Sequence, residues 1–459
     1  MALTPNLSSI RPAAVAGAFY PGDPRRLAEE VGELLDGVDN LEPKFGFPKA
    51  LIVPHAGYIF SGPVAAHAYD ELGAARGIVK RVVLLGPVHR VPVRGLALPL
   101  ADAFETPLGR VPVDGNAART LAGLGQVVTS EPAHAQEHSL EVQLPFLQKM
   151  LGEFALVPLA VGTASADEVA QVIERLWGGP ETLVVLSTDL SHYRNYEEAK
   201  RIDGATLGRI AGFATDLGHE EACGATPLNG FLALAKSKKL SIRLLAACNS
   251  GDTAGGKGRV VGYSSFALYE GGAVAAEDAG RALLGIAHSA IEKELLQKEN
   301  PSIDRPGWLR QIGATFVTLM KDGKLRGCIG SLSAERPLGE DVAENALGAA
   351  FRDPRFPKLT PEEWPRCGLE VSLLSAPKPI RFADEADLLE QVRAGEDGLI
   401  LEYQGKRATY LPQVWAGIQD KRRFFEELKR KAGIPADTRL GRCRVLRYRV
   451  AKWKQEKLH

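Results

Sequence analysis

The stretch LIVPHAGYIFSG at residues 51–62 limits most strongly what this chain can fold into. Its apolar run LIV is typical of a buried strand, and Pro54 ends that strand. His55 therefore follows the carboxyl end of a strand, where open α/β sheets bind their ligands. The glycines at positions 57 and 62 allow the backbone to approach closely.

Two later segments repeat this order of apolar strand and polar side chain. RVVLLG leads to Pro87 and His89, and TLVVLS leads to Asp189 and His192. Segments with helical spacing, such as ADEVAQVIERLWGG, alternate with the strands. This alternation predicts an α/β first domain of three layers, in which helices cover both faces of a central, mostly parallel sheet.

The composition predicts a cytoplasmic protein with more than one domain. At 459 residues the chain is too long for one ordinary core. Its 56 basic residues balance 56 acidic ones, which argues against nucleic acid or membrane as a partner. The opening MALTPNLSSIRPAAVAG lacks the apolar core of a secretory signal. Five cysteines without a CxxC pair fit a reducing compartment and exclude a cysteine-only metal site.

The chain changes character after Tyr269. The small, polar stretch EGGAVAAEDAG predicts a linker over residues 273–280, between a domain at 1–272 and a second domain at 281–459 that begins with a helix. ATFVTLMKDGKLRGCIGSL predicts a hairpin with Asp-Gly as its turn, and GLILEYQGKRATYLP predicts another. Hairpins mixed with helices indicate an α+β second domain.

Several motifs of the first domain resemble those of the Memo family. They are PHAGYIFSG (54–62), LGPVH (85–89), EHSLEVQLPF (137–146), STDLSH (187–192) and the turn at Cys248. This resemblance implies the fold of class III extradiol dioxygenases and a metal site for non-haem iron or copper.

The second domain resembles the AMMECR type through LRGCIG (325–330), FRDPRF (351–356) and LPQVW (411–415). A Memo domain fused to an AMMECR-type domain is similar to components of the AmmeMemoRadiSam system of prokaryotes. The resemblance therefore implies a radical SAM protein as a partner.

The matching Memo positions imply that His55, His89 and Cys248 are metal ligands. Two imidazoles and a thiolate favour copper, iron(II) or zinc over magnesium or calcium. Extradiol dioxygenases instead use two histidines and a carboxylate, so the thiol departs from their pattern. Cys248 is alternatively a buried small hydrophobe, the usual role of a free cysteine. Asp189 and His192 are expected near the metal, as an orienting base or a proton shuttle.

The EHSLEVQ segment has two interpretations. If residues 130–149 form a helix, Glu137, His138 and Glu141 lie on one face, and Glu137 and His138 become further candidate catalytic residues. Alternatively, the two glutamates are solvent-facing charges and His138 caps or packs against the helix.

The second domain offers a candidate site of its own. Arg326 and Cys328 lie at the end of a hairpin strand, and Arg352, Asp353 and Arg355 lie in a loop interrupted by proline. The arginines either lower the pKa of the thiol or hold an anionic ligand. In the plainer interpretation, Arg and Asp form a structural ion pair and the cysteine is buried.

Two classes of function follow from the sequence. In the first, the chain is a metal-dependent, dioxygenase-like redox protein, which acts as an enzyme or as the metal-bearing subunit of a modification system. In the second, it is a binding module for a peptide or another anionic ligand. The sequence does not identify the small-molecule or peptide substrate.

Overall fold

The computed structural model describes residues 9–271, 274–297 and 307–455. These residues divide into two compact units. Unit 1 contains residues 9–38 and 47–271, and unit 2 contains residues 39–46, 274–297 and 307–455. Residues 272 and 273, at the predicted domain boundary, lie outside the described residues.

Unit 1 alternates strands with helices along most of its length. The strands are β1 Ile10–Arg11, β2 Ala50–Val53, β3 Arg81–Pro87, β4 Leu96–Leu98, β5 Ala103–Thr106, β6 Gly109–Pro112, β7 Val127–Thr129, β8 Ala155–Val161, β9 Thr182–Ser187, β10 His192–Arg194, β11 Ser241–Asn249 and β12 Val260–Tyr269. The helices are α1 Pro24–Asp36, α2 Tyr58–Asp70, α3 Ala117–Thr120, α4 Glu131–Ala135, α5 Leu144–Leu151, α6 Ala166–Leu176, α7 Tyr196–Ala211 and α8 Ala225–Ser237. Single 3-10 turns cover Glu71–Ala74, Glu141–Gln143 and Ser250–Asp252.

The main sheet of unit 1 has the order β10-β12-β2-β9-β3-β8-β4-β7, with β11 beside β12. The central strands β2, β9, β3 and β8 run parallel, whereas β12 pairs with β2 and β4 pairs with β8 in the antiparallel sense. The sheet is therefore mixed, and the parallel arrangement predicted for most of it holds only at its centre and for the pair β4 and β7.

Both faces of this sheet are buried. Along β2, Leu51 and Val53 join an apolar cluster that includes α1, α2 and α5, whereas Ala50 and Ile52 join a second cluster that includes α6 and α8. Successive side chains of a strand point to opposite faces, so a strand covered on both sides is apolar throughout. This explains why the strands appear in the sequence as continuous apolar runs.

Unit 2 combines helices with small antiparallel sheets. The helices are α9 Ala276–Leu296, α10 Leu338–Phe351, α11 Glu385–Gln391 and α12 Lys421–Ala432; the strands are β13 Ile312–Gly313, β14 Thr315–Lys321, β15 Lys324–Gly330, β16 Arg336–Pro337, β17 Cys367–Leu374, β18 Lys378–Pro379, β19 Gly398–Tyr403, β20 Lys406–Tyr410, β21 Arg444–Tyr448 and β22 Val450–Gln455. Single 3-10 turns cover Gly307–Arg310, Trp364–Arg366, Pro412–Ala416 and Leu440–Arg442.

The sheet orders in unit 2 are β15-β14-β17-β22, β18-β21-β19-β20 and β13-β16. Apolar residues of α9 and α10 pack on β14 and β17, and those of α12 pack on β19. Both predicted hairpins are confirmed as β14-β15 and β19-β20. The Asp322-Gly323 turn has φ values of 50° and 75°, as a type I′ turn requires.

Helix α9 begins at Ala276, earlier than the sequence indicated. The expected linker reached residue 280, but Glu277 and Asp278 lie in the first turn of the helix, where carboxylates stabilise its positive end. No helix in the described parts of the chain has both the length and the apolar surface that a membrane span requires.

Residues 39–46 precede most of unit 1 in the sequence but pack as part of unit 2. The ring of Phe45 lies 6.0 Å from that of Trp308 and 5.7 Å from that of Trp453. The buried Gln311 side chain donates to a carbonyl of this segment at 2.9 Å and accepts from one of its N–H groups at 2.8 Å. The segment is thus held by both aromatic packing and its backbone.

We expect Phe45→Ala to destabilise unit 2 by about 2 kcal/mol, because it removes an aromatic ring packed against two tryptophans. Urea unfolding followed by tryptophan fluorescence measures the effect. Glu42→Ala is the matched control, since Glu42 is an exposed side chain of the same segment. Equal unfolding midpoints for the two variants would contradict a stabilising role for Phe45.

Candidate metal centre

The parallel pairing of β2, β9 and β3 brings three polar residues to one edge of the sheet. His55, Asp189 and His89 each stand two positions beyond the carboxyl end of one of these strands. The N–H of His55 donates to Asp189 Oδ1 at 2.8 Å, and the rings of His55 and His89 are 5.2 Å apart. Residues far apart in sequence therefore meet because their strands are neighbours.

A third imidazole, that of His138, completes a histidine cluster of His55, His89 and His138. Its ring centroid lies 5.4 Å from that of His55 and 4.7 Å from that of His89. One potential ligand atom of each histidine lies within 4.8 Å of the others, and among the described residues this is the group that could hold a metal ion.

The carboxylate of Glu137 orients two of these histidines. It accepts from the backbone N–H and from Nδ1 of His89, at 2.7 and 2.9 Å, and from the N–H groups of His138 and Ser139, both at 2.9 Å. Burial alone would raise the pKa of Glu137, but the hydrogen bonds and charge of His89, together with the backbone donors, lower it to about 2. Because an ionised carboxylate only accepts, Nδ1 of His89 carries the proton and Nε2 keeps a lone pair.

His55 is fixed in the same tautomer by a serine. Ser187 donates its only hydroxyl proton to the carbonyl of Ser139 at 2.6 Å, so its oxygen accepts from Gln143 Nε2 and from His55 Nδ1, both at 2.9 Å. His55 Nε2 is then unprotonated. Metal-binding histidines are commonly oriented in this way by a hydrogen bond at the other ring nitrogen.

Cys223 lies against His55 and was not expected from the sequence. Its Sγ is 3.3 Å from His55 Nε2 and accepts from the N–H of Asp189, also at 3.3 Å. Burial raises the pKa of the thiol to about 12. The next residue, Gly224, packs so closely on Thr188 that a Cβ would lie 2.7 Å from that side chain. Glycine at this position therefore allows Cys223 to reach the strand ends.

Burial also changes the protonation of the other groups. It lowers the pKa of His55 well below its usual value and that of His138 to about 4, and both imidazoles are neutral at pH 7. It raises the pKa of Asp189 to about 7, because the donated N–H groups offset only part of the desolvation. His192 donates from Nδ1 to the carbonyl of Leu190 at 2.8 Å, and burial lowers its pKa as well.

Cys248 does not belong to the histidine cluster. It lies in β11, opposite Tyr263 of β12, on the antiparallel side of the sheet. Burial and the charge of Asp252 raise the pKa of its thiol to about 11. The thiol in contact with a histidine of the cluster is that of Cys223, and the ligand role expected for Cys248 stays a prediction.

The single helix expected over residues 130–149 is wrong. Helix α4 ends at Ala135, and Glu137 and His138 lie in a loop before the next 3-10 turn. In the alternative interpretation, Glu137 was a solvent-facing charge and His138 a capping or packing group. Both residues instead lie at the centre of the histidine cluster. Glu141 is completely buried and pairs with Arg11, which fixes the N-terminal segment.

In unit 2, the arginines of the candidate site are paired. Asp353 accepts from the N–H of Cys328 at 2.8 Å and from Arg355 at 2.7 Å, and Arg355 lowers the pKa of the Asp353 carboxyl. Arg326 and Arg352 pair with glutamates outside this loop, at 2.9 and 2.7 Å. The geometry favours the structural ion pair over a bound anion.

Comparison with known proteins finds a matching family for each of the two parts of the chain. A family model described as Memo-like protein matches residues 11–267, and a model described as AMMECR1 matches residues 284–453. A MEMO1 family protein of Aeropyrum pernix is 39% identical over 277 residues, which cover 55% of this chain and 98% of that protein. Another from Aquifex aeolicus is 37% identical over 270 residues, covering 55% of this chain and 97% of its own length.

Two solved structures are similar to parts of the chain. An uncharacterized protein from Pyrococcus horikoshii is 30% identical, with a TM-score of 0.35, covering 39% of this chain and 92% of its own. An uncharacterized protein from Escherichia coli K12 is 15% identical, with a TM-score of 0.33, covering 48% and 98%. At these scores neither structure bears on the fold.

We expect Glu137→Gln to lower stability by roughly 3 kcal/mol at pH 7, since the amide keeps the shape but loses the charge and one of the two acceptor oxygens that hold His89. The ionised carboxylate has a folded pKa near 2, below the ordinary 4.5. Its contribution is complete above pH 4.5 and is lost as the pH falls toward 2. Melting temperatures measured from pH 7 to pH 2 should therefore be flatter for the variant.

Glu153→Gln serves as the control, because Glu153 is an exposed glutamate of the same unit. Parallel pH profiles for wild type and Glu137→Gln would show that the carboxylate does not stabilise the loop as its contacts indicate.

Proposed function

The chain belongs to the family of Memo-like proteins and carries an AMMECR1 domain after the Memo-like one, and on this premise we propose that unit 1 is a redox protein that binds a metal ion through the histidine cluster. The observation that supports this most directly is the approach of three imidazole nitrogens to within 4.8 Å of one another.

The chemistry of the cluster fits such an ion. His55 and His89 have their Nδ1 protons engaged by Ser187 and Glu137, so Nε2 of each ring is the nitrogen that would bind a metal, in His55 in place of its contact with Cys223 Sγ. Burial keeps His55 and His138 neutral, as metal binding requires. Imidazole donors suit iron, copper and zinc. When bound, iron or copper supplies a redox-active Lewis acid.

Asp189 is the proton-transferring group of this proposal. Its Oδ2 lies 3.9 Å from His55 Nε2, so the carboxyl is placed to take or give a proton beside the nitrogen that would bind the metal. Oδ1 is fixed by the N–H of His55, so the position of the carboxylate is set by the backbone. Cys223 adds a protonated thiol to the same side of His55.

The domain order supports a wider role. A Memo-like domain joined to an AMMECR1 domain fits a component of the AmmeMemoRadiSam system that acts with a radical SAM protein. The expected likeness of unit 1 to class III extradiol dioxygenases belongs to the same proposal. Its support is the strand-end position of two histidines and one carboxylate, His55, His89 and Asp189.

We expect His55→Ala, His89→Ala and His138→Ala each to lose bound iron or copper, from about one ion per chain to near none, because each removes a nitrogen donor. Elemental analysis of the purified full chain measures this. His288→Ala, in helix α9, is the matched control and should keep its metal.

Two cysteine variants test the thiol. The ligand role expected for Cys248 predicts that Cys248→Ser loses the metal, whereas loss in Cys223→Ser instead would assign the thiol ligand to Cys223, which contacts His55. Full metal content in all three histidine variants, with unchanged circular dichroism, would exclude the proposed ligands.

We expect Asp189→Asn to keep the metal and to lower oxygen uptake in the presence of a reductant by about a hundredfold. The amide preserves the oxygen that accepts from His55 and removes the titratable proton. An oxygen electrode gives the rate, and Asp167→Asn, at an exposed position, is the control. If the protein is a binding module, no oxygen uptake depends on Asp189, and equal rates would favour that function.

A further inference from the structure

Arg11 lies against the loop that carries Glu137 and His138. It belongs to β1, where its backbone pairs with Phe104 of β5. Its side chain is buried, with 1% exposure, and the guanidinium lies over the ring of Phe104 at 4.9 Å from the centroid. Both the backbone and the head group of Arg11 are therefore held by contacts outside the loop.

The guanidinium binds the backbone of the loop at two points. Nε donates to the carbonyl of His134 at 2.8 Å, and Nη2 donates to the carbonyl of Glu137 at 2.7 Å. Nη1 donates to Oε2 of Glu141 at 2.5 Å, and this carboxylate is buried as well. One planar cation thus spans the loop from the end of α4 to the following 3-10 turn.

These contacts take the place of the hydrogen bonds of a helix. An α-helix continued through this segment would bond the N–H of His138 to the carbonyl of His134. Instead, that carbonyl accepts from Arg11 and, at 3.2 Å, from the N–H of Glu137. The N–H of His138 donates to Oε1 of Glu137 at 2.9 Å. Arg11 therefore satisfies backbone carbonyls that the end of helix α4 leaves without a helical partner.

The position of His138 depends on this open backbone. His55 and His89 follow strands of the main sheet, whereas His138 lies in the loop. The carboxylate of Glu137 satisfies N–H groups of the loop, and Arg11 satisfies two of its carbonyls, so the loop is stable without helical bonds. The two side chains together fix the backbone from which the third imidazole of the cluster projects.

The residues that follow Arg11 support the same loop. The carboxylate of Glu141 accepts from two N–H groups of this segment, at 2.7 and 3.0 Å, and from the hydroxyl of Tyr20 at 2.5 Å. The ring of Phe19 lies 4.8 Å from the ring of His138. Residues 11–20 and the loop are thus packed together around His138.

We propose that Arg11 is a positioning residue of the metal centre, which holds residues 134–138 in an open loop and so places His138 beside His55 and His89. Arg11 acts through the carbonyls of the backbone and not through an imidazole. The assignment rests on the function proposed above, and it adds a residue that lies outside the histidine cluster.

A guanidinium fits these three acceptors better than an ammonium does. Its N–H groups lie in one plane and point in fixed directions, whereas the ammonium of lysine is a compact point charge. Lysine at position 11 would keep the ion pair with Glu141 and lose the contacts that span the loop. Arg11→Lys therefore tests the geometry of the arginine and leaves its charge in place.

Titration of the full chain with Co(II), followed by visible absorption, measures this role. Arg11→Lys should weaken Co(II) binding by about tenfold or more and change the absorption bands, because loss of a contact that orients a ligand commonly lowers metal affinity by that factor. The bands report the donors around the ion, so they distinguish a displaced imidazole from a general loss of stability.

Arg81→Lys is the matched control. Arg81 also donates to the end of a helix, at the carbonyl of Leu176 in α6 at 3.0 Å, but it begins β3, at the opposite end from His89. Its substitution should leave Co(II) affinity within about twofold of the wild type, because it removes no contact of the loop.

Hydrogen exchange of the metal-free chain separates this proposal from the preceding one. The amides of residues 134–143 should exchange about tenfold faster in Arg11→Lys than in the wild type, and no faster in Arg81→Lys. If the wild type binds no Co(II), the proposed metal centre fails, and hydrogen exchange alone then decides whether Arg11 holds the loop.

Arg11→Met combined with Glu141→Met removes both charges and leaves no buried ion unpaired, so it replaces Arg11→Lys if that variant does not fold. The role of Arg11 is excluded if its variant matches a wild type that binds Co(II), if Arg81→Lys loses as much affinity, or if exchange in residues 134–143 is unchanged. Weaker binding and faster exchange, beside a control that keeps both, support it.

Discussion

The parallel pairing of β2 with β9, and of β9 with β3, is the constraint on which the rest of the site depends. Each strand is apolar on both faces, so each is held by two cores as well as by its neighbours. A slip of one residue would exchange the faces of a strand and move its terminal residue. His55, Asp189 and His89 therefore keep a common edge because the burial of their strands fixes the register.

Glu137 holds in place the part of the site that lies in a loop and not at the end of a strand. Glu137 lies in the loop after α4. Its carboxylate accepts from the backbone N–H and the ring of His89 and from the N–H of His138, the next residue. Desolvating a carboxylate is costly, and several donors with a neighbouring imidazole offset the cost. The same contacts that satisfy the charge place His138 beside His55.

Strand ends were predictable from the sequence because an apolar run followed by a polar residue is a local pattern. The two hairpins were predictable for the same reason, since Asp322-Gly323 permits the first turn and Gln404-Gly405 the second. Cys223 was not, because its position depends on Gly224 packing against a distant strand end. The expectation for Cys248, in β11 beside β12, came from a family resemblance and stays a prediction. The helix over 130–149 failed because Glu137 binds the backbone that a helix would use.

The pKa shifts of His55, His138 and Asp189 have one common cause, which is burial. Burial opposes a proton on His55 and His138 and also opposes ionisation of Asp189. A cation among the imidazoles would satisfy their lone pairs and lower the pKa of Asp189, because it favours the carboxylate. Neutral imidazole donors beside a carboxyl that a cation would ionise are thus consistent with a metal ion at this site.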